Sequence, residues 1–200
     1  MVVESETDLL ISAAREYEKL LGKEIKMVLG RKGKSEIITL LFDSSDFYHL
    51  AGLHKLADVR DIYRGEATDI FDKIVSGRID ISNINRSVFF DNIIERLEIL
   101  SQINDLFTKS NTIFKFRKLQ TRNSKINWKY LVEFETVQGY SGYLFLTEYR
   151  NRPNNYVCMT DFKKHLDYGI GQIKMTLLQT KLIDSGTEIV IFQSPSYKDE

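Results

Sequence analysis

The chain has 200 residues, 42% of them hydrophobic and 12% aromatic, which is enough for a buried core and excludes disordered and fibrous classes. Its 28 basic and 28 acidic residues balance, which argues against a protein that coats nucleic acid through its net charge. The one cysteine cannot form an internal disulfide, and no apolar run approaches the roughly 18 residues of a membrane span, so we expect a soluble cytoplasmic protein that makes no membrane contact.

The first elements are a helix and a hairpin. Residues 7–21 carry apolar side chains at helical spacing and are followed by Gly22, so the sequence predicts a helix that stops there. Two short β-type runs, 24–29 and 36–42, flank the loop Arg31-Lys32-Gly33-Lys34. Because glycine permits a tight turn, we expect the two runs to pair as a hairpin.

The next segment places a histidine where a helix would bury leucine. Residues 46–56 read Asp-Phe-Tyr-His-Leu-Ala-Gly-Leu-His-Lys-Leu, and the helical periodicity persists to about Val59. At about 100° per residue, His49 projects between Leu53 and Leu56. A buried nitrogen without a partner costs about 1 to 3 kcal/mol. His49 is therefore either a hydrogen-bonded core residue or the edge of a functional cleft.

His54 is the second histidine of this segment. On a continuous helix, five residues separate His49 and His54 by about 140°, whereas zinc proteases place two histidines four residues apart. We therefore expect His54 to point elsewhere and expect no metal site. The sequence also lacks a P-loop lysine motif and a glycine-rich dinucleotide turn, so we expect no cofactor. Cys158 has no recognisable catalytic partner and is interpreted as a small core residue.

The remaining chain changes from helical to β-type patterning. Residues 60–85 predict a connector with a short helix near 68–75, and Ser87 caps one long amphipathic helix that extends to Phe107. A terminal strand is expected at 187–193, after a segment that can begin as a helix through Leu178. Between these elements, β-type runs alternate with turn sequences, at 112–119, 129–136, 142–150 and 156–159. This order predicts an α+β fold with N-terminal helices packed on a mainly antiparallel sheet.

One stretch of the chain is locally basic. Between Leu106 and Val132 there is no acidic residue, and several lysines and arginines are present. Such a surface suits a phosphate backbone, although ordinary lysines on a solvated pair of strands would give the same pattern. The candidate RNA-binding residues are Lys115, Arg117, Lys118 and Arg122.

The segment 167–178 offers polar groups that can act without a metal. Cleavage of an RNA phosphodiester needs a base for the 2′-hydroxyl, an acid for the leaving oxygen, and donors or cations around the charged phosphorane. Tyrosine, glutamine, lysine and threonine side chains lie here beside Gly169 and Gly171, which let a ligand approach the backbone. A capped helix or the start of a strand explains the same residues equally well.

These motifs, in their order and spacing, resemble a known family. They are Asp46 to Leu53, the long helix that begins near Arg86-Ser87, Ser124 to Leu131, and Asp167 to Leu178. Together they resemble the phage barnase–EndoU–colicin E5/D–RelE-like nuclease domains, in particular the fourth phage subgroup. The resemblance covers about residues 36–192. The predicted domains are an N-terminal helix and hairpin extension at 1–35, a nuclease-like domain at 36–193 and a tail at 194–200. It implies a compact α+β fold and a metal-independent ribonuclease activity.

The resemblance also implies site residues. By position in the family's motifs, His49 is the general base or acid, Tyr168 and Thr176 donate to the phosphate, and Gln172 orients the nucleotide. Lys125 offsets charge on the phosphorane if the start of its strand faces the cleft. Each role is carried over from a motif position.

Two functions from different classes follow. The first is a phage or mobile-element endoribonuclease that acts on RNA, with tRNA among the candidates, through attack of the 2′-hydroxyl. The second is a non-enzymatic phage protein, such as an inhibitor of a host defence system, that uses the same scaffold to bind a host protein. In that case exposed tyrosines among Tyr140, Tyr143 and Tyr149 would anchor the partner.

Overall fold

The computed structural model describes residues 8–118, 126–149 and 152–198. The chain forms two compact units. The helical unit comprises residues 1–21 and 44–103, and the sheet unit comprises residues 22–43 and 104–200. Each unit therefore combines two separate stretches of sequence. The domain ranges 1–35, 36–193 and 194–200 stay a prediction.

The helical unit contains six helices and a short 3₁₀ turn in its described residues. They are α1 (Leu9–Glu18), α2 (Ser44–Leu50), the 3₁₀ turn Leu53–Lys55, α3 (Arg60–Tyr63), α4 (Ala67–Val75), α5 (Ile81–Ile84) and α6 (Asp91–Leu100). Asp8 caps α1 by accepting a hydrogen bond from the backbone N–H of Ile11 at 2.9 Å. The core of the unit includes three aromatic rings in contact, since the Phe71 ring centroid lies 6.1 Å from that of Tyr17 and 5.2 Å from that of Phe47.

The long helix predicted from Ser87 to Phe107 is wrong, because the structure has two helices there. The first is α6, and the second is α7 (Ile103–Phe107). The hydroxyl of Ser101 and the side-chain amide of Gln102 both donate to the carbonyl oxygen of Glu98, each at 2.9 Å. These side chains satisfy a carbonyl at the end of α6. The helix can therefore end at Leu100 although the helical spacing of apolar residues continues to Phe107.

The sheet unit has eight strands in its described residues. They are β1 (Lys23–Arg31), β2 (Lys34–Leu41), β3 (Thr112–Lys115), β4 (Tyr130–Glu135), β5 (Ser141–Glu148), β6 (Asn155–Lys163), β7 (Ile173–Asp184) and β8 (Thr187–Gln193). Their order is β1-β2-β6-β5-β4-β3-β7-β8, and β7 also pairs with β1, so the first seven strands form a closed ring. The pairing of β2 with β6 is parallel and the other pairings are antiparallel. The predicted α+β class is confirmed.

The helix proposed for the segment through Leu178 is wrong, because residues 169–171 form a turn and the residues from Ile173 onward lie in the twelve-residue strand β7. Thr176 pairs with Gly30 of β1 on one side and with Thr112 of β3 on the other. Met175 and Leu177 are buried and Thr176 is exposed, which is the alternation of a strand. Pairing on both sides satisfies the backbone here, so the local glycines do not decide the structure.

An aromatic cluster covers one face of the central strands. Trp128, Leu131, Tyr143 and Phe145 are buried, and Phe114, Phe162 and Tyr168 pack against them. Leu131 is directly opposite Phe145 in the register of β4 and β5. Neighbouring Val132 and Leu144 are also paired and buried, so both faces of these two strands are covered.

Candidate functional site

His49 lies near the end of α2 and is exposed, whereas Phe47 and Leu50 are buried. The expectation that its imidazole projects inward is therefore wrong. The helix ends at Leu50, and Gly52 takes a left-handed conformation with φ of 73°. Since the chain leaves the helical path before Leu53, the angle between His49 and the later leucines does not follow helix geometry.

The same turn brings the second histidine to the first. The ring centroids of His49 and His54 lie 5.1 Å apart, with 46° between the ring planes. The Tyr48 ring lies 5.5 Å from His49 and 6.4 Å from His54, and its hydroxyl donates to the carbonyl oxygen of Ile62 at 3.4 Å. The expectation that His54 points elsewhere is therefore wrong. Both imidazoles are exposed and adjacent, in what we call the histidine pair.

Arg96 of α6 holds the turn that forms the histidine pair. Its side chain is buried, and Nη1 donates to the carbonyl oxygen of Leu50 at 3.3 Å. A Cβ atom on Gly52 would lie 2.9 Å from Cδ of Arg96 and 3.0 Å from Cγ2 of Ile93. The turn therefore needs glycine both for its backbone conformation and for space.

The surroundings of His54 favour its neutral form. Partial desolvation is the largest cause that lowers its pKa below the ordinary value, and the nearby charges of His49, Arg96 and Lys55 lower it further. The backbone of Tyr48 acts in the opposite direction. A neutral imidazole can accept a proton, and cations beside it suit a negatively charged ligand.

The other predicted catalytic residues lie in the sheet unit. Tyr168 packs its ring 5.8 Å from Tyr143 and 5.2 Å from Phe145. The Gln172 side-chain oxygen accepts a hydrogen bond from the backbone N–H of Arg117 at 2.6 Å, which joins two predicted site residues. Thr176 is exposed on β7. The structure thus places Gln172 beside Arg117. The catalytic roles of Tyr168, Gln172 and Thr176 stay predictions.

Two substitutions of Tyr168 separate the contributions of its ring and of its hydroxyl to the stability of the fold. Because the ring packs in the aromatic cluster, we expect Tyr168→Ala to lower the free energy of unfolding by about 1–3 kcal/mol. Tyr168→Phe keeps the ring, so its unfolding free energy should stay within about 0.5 kcal/mol of the wild type. Urea denaturation followed by circular dichroism measures both. Equal losses in the two variants would contradict the packing role.

The predicted RNA-binding cations differ in their surroundings. Lys115 forms an ion pair with Glu36, with 2.5 Å between Nζ and Oε2. Arg117 and Lys118 are exposed. The predicted residues Arg122 and Lys125 lie outside the described residues.

The predicted tyrosine anchors for a protein partner also differ. Tyr143 is fully buried in the aromatic cluster, so it cannot be an anchor, whereas 42% of Tyr149 is exposed. In residues 8–118, 126–149 and 152–198, no three His, Cys, Asp or Glu side chains are grouped so that they could hold a metal ion. Every helix in these ranges is too short or too polar to cross a membrane.

Sequence reasoning missed His54 and Arg96 as parts of a site. One signal was available for His54, because Gly52 between the two histidines could end the helix. No comparable signal existed for Arg96, which is distant in sequence and reaches the turn only in the folded unit.

Comparison with known proteins yields a match to a family model. The family model described as "phage-Barnase-EndoU-ColicinE5/D-RelE like nuclease4" matches residues 9–195. This range includes α1 and the β1–β2 hairpin as well as the later motifs. No curated protein and no solved structure matches the chain.

Proposed function

Because the chain belongs to the family of phage barnase–EndoU–colicin E5/D–RelE-like nucleases, we propose that it is an endoribonuclease that cleaves RNA without a metal ion. The histidine pair carries this proposal. Two exposed imidazoles whose centroids lie 5.1 Å apart can serve one phosphodiester as base and acid. In RNA the nucleophile is the neighbouring 2′-hydroxyl, so the reaction needs no bound water or metal.

The two imidazoles take different roles in this mechanism. His54, whose pKa is lowered, accepts the proton of the 2′-hydroxyl while the oxygen attacks phosphorus. His49, in its protonated form, gives a proton to the departing 5′-oxygen as the phosphorus–oxygen bond breaks. The products are a 2′,3′-cyclic phosphate and a 5′-hydroxyl end. Two protons move in opposite directions, so the next turnover requires only proton exchange with solvent.

Cations near the pair suit the charge that develops on the phosphorane. Lys55 is adjacent to His54 in sequence, and its charge is felt at His54. Arg96 is a positioning residue, since its guanidinium is bonded to the Leu50 carbonyl oxygen beneath the turn. In the sheet unit, we assign Thr176, Gln172, Arg117 and Lys118 to contacts with the RNA, because Thr176, Arg117 and Lys118 are exposed and Gln172 bonds to Arg117.

The substrate follows from the same chemistry. A phage enzyme of this kind would act on host RNA in the cytoplasm, and tRNA is a suitable first substrate because its loops expose single-stranded bases. The purified protein should cleave tRNA in the presence of EDTA and leave cyclic-phosphate ends. A matched oligonucleotide with 2′-deoxyribose at the cleaved position should remain intact. Cleavage of that oligonucleotide, or a strict requirement for divalent cations, would contradict the proposal.

A further inference from the structure

The sheet unit has a pocket beside the β1–β2 hairpin turn. Because side chains alternate along a strand, Lys34 and Glu36 of β2 lie on the same face as buried Ile38 and Leu40. Arg31 is paired with Lys34 at the tip of the hairpin. This face of β2 is thus charged near the β1–β2 turn and apolar further along the strand.

These charged residues line a pocket of about 240 Å³. Its walls include Arg31, Lys34, Glu36 and Lys115, and Met175 of β7 contributes apolar surface. Three cations and one carboxylate give the pocket a formal charge of about +2, on a chain whose total charge is zero. The pocket is therefore positively charged overall.

The carboxylate in the pocket is already bonded on both oxygens. Glu36 accepts a hydrogen bond from Nζ of Lys115 at 2.5 Å and one from the hydroxyl of Tyr130 at 2.7 Å. Burial and the hydrogen bond to Glu36 raise the pKa of Tyr130 strongly, so its hydroxyl stays a donor. Glu36 therefore fixes Lys115 in place. In the described part of the chain, neither Arg31 nor Lys34 forms an ion pair, so their charges face solvent.

Size and charge select the ligand. Pockets that enclose whole drug-sized molecules usually have about 300–1,000 Å³, so this smaller pocket suits one anionic group. Arginine and lysine side chains bind phosphate oxygens through charge-assisted hydrogen bonds. We propose that the pocket is a phosphate-binding subsite for RNA, which rests on the proposed function and adds a contact that is distinct in sequence from the histidine pair.

Binding without turnover tests this subsite. The probe is a short fluorescent single-stranded RNA that carries a 5′-phosphate and has 2′-O-methyl groups at every position, since it cannot be cleaved by 2′-hydroxyl attack. The variant Arg31→Ala with Lys34→Ala is compared with Lys109→Ala with Lys198→Ala, which removes the same charge from exposed lysines of the sheet unit. Fluorescence anisotropy should show binding about tenfold weaker for the pocket variant only. The slope of log affinity against log salt should fall by about 0.7 for each phosphate that the variant no longer binds.

For a second variant, Glu36→Gln, we expect the affinity for RNA to change in the opposite direction. Glu36→Gln removes the negative charge from the pocket and keeps an oxygen that can accept from Lys115, so RNA should bind more tightly. Equal weakening in the two double variants, no weakening in either, or weaker binding by Glu36→Gln would overturn the subsite. A wild type that binds the methylated RNA as described but leaves unmodified RNA intact would overturn the cleavage proposal alone.

Probes that differ at the 5′ end show whether the pocket binds a terminal phosphate or a phosphate within the RNA chain. Probes of the same sequence with a 5′-phosphate and with a 5′-hydroxyl are compared in the wild type and in the Arg31→Ala, Lys34→Ala variant. If only the phosphorylated probe is sensitive to the pocket variant, the subsite takes a terminal phosphate. If both probes bind more weakly by the same factor, it takes a phosphate within the chain. Both results support the subsite, and insensitivity of both probes overturns it.

Discussion

Replacement of His49 or His54 by alanine is expected to lower the rate of RNA cleavage by about 10²–10⁴-fold, because each variant removes one of the two proton-transfer groups. The double variant should be little slower than either single variant, since the two groups act on one phosphodiester. Both side chains are exposed, so the unfolding midpoint should stay close to that of the wild type. Cleavage rates with a defined RNA, together with circular dichroism, measure both effects.

His165 provides the matched control, because it is an exposed histidine of the sheet unit. His165→Ala should cleave at the wild-type rate. If His54→Ala keeps full activity while His49→Ala is inactive, the assignment of the pair is wrong and a single histidine acts with another group. Full activity of both variants would remove the histidine pair from the mechanism.

The pH profile separates a catalytic His54 from a structural one. The pKa of His54 lies below its ordinary value of 6.5 in the folded protein. Protonation removes its capacity as a base, so cleavage should be supported above this lowered pKa and should decline as the pH falls through it. The groups that influence it are His49, Arg96, Lys55 and the backbone of Tyr48. Residual activity of His54→Ala should lack this acidic decline.

Gly52→Ala is expected to disrupt both stability and activity. The left-handed backbone at Gly52 costs a residue with a Cβ about 1–2 kcal/mol, and the close approach to Arg96 and Ile93 adds about 1–3 kcal/mol of crowding. Because the same turn brings His54 beside His49, the cleavage rate should fall well below that of the wild type even where the variant is folded.

Gly77→Ala is the control for this substitution. Gly77 also has φ of 73°, but a Cβ there meets only Cδ1 of Ile11, at 3.9 Å. Gly77→Ala should therefore show only the cost of the backbone conformation and should keep its cleavage rate. Urea denaturation and cleavage assays at a temperature where both variants are folded make the comparison. Equal stability and equal activity of the two variants would show that the turn at Gly52 does not shape the site.

Much of the fold could be predicted from local patterns. The spacing of apolar side chains in residues 7–21 predicted α1, and the runs around Gly33 predicted the β1–β2 hairpin, as observed. The strand at 187–193 was predicted with the observed bounds. These elements depend on contacts between residues close in sequence or on a simple alternation, so the sequence itself carries their signal.

The candidate site was less predictable. Extending a regular helix through Gly52 placed His54 on the wrong side, because a small difference in where a helix ends changes every later side-chain direction. Likewise, Gln172 was predicted by resemblance, but its bond to the backbone of Arg117 joins segments far apart in the chain. Such contacts have no periodic pattern that reveals them.

By itself, the sequence determined the α+β class, the family resemblance and His49 as a candidate, because these follow from composition, periodicity and motif order. Only the tertiary structure decided that His49 and His54 form an exposed pair, that Arg96 supports their turn, and that the segment through Thr176 is a strand. The physical reason is the same in each case. A buried guanidinium that bonds to the turn and a strand paired on both sides depend on partners distant in the chain, and these partners outweigh local helical preference.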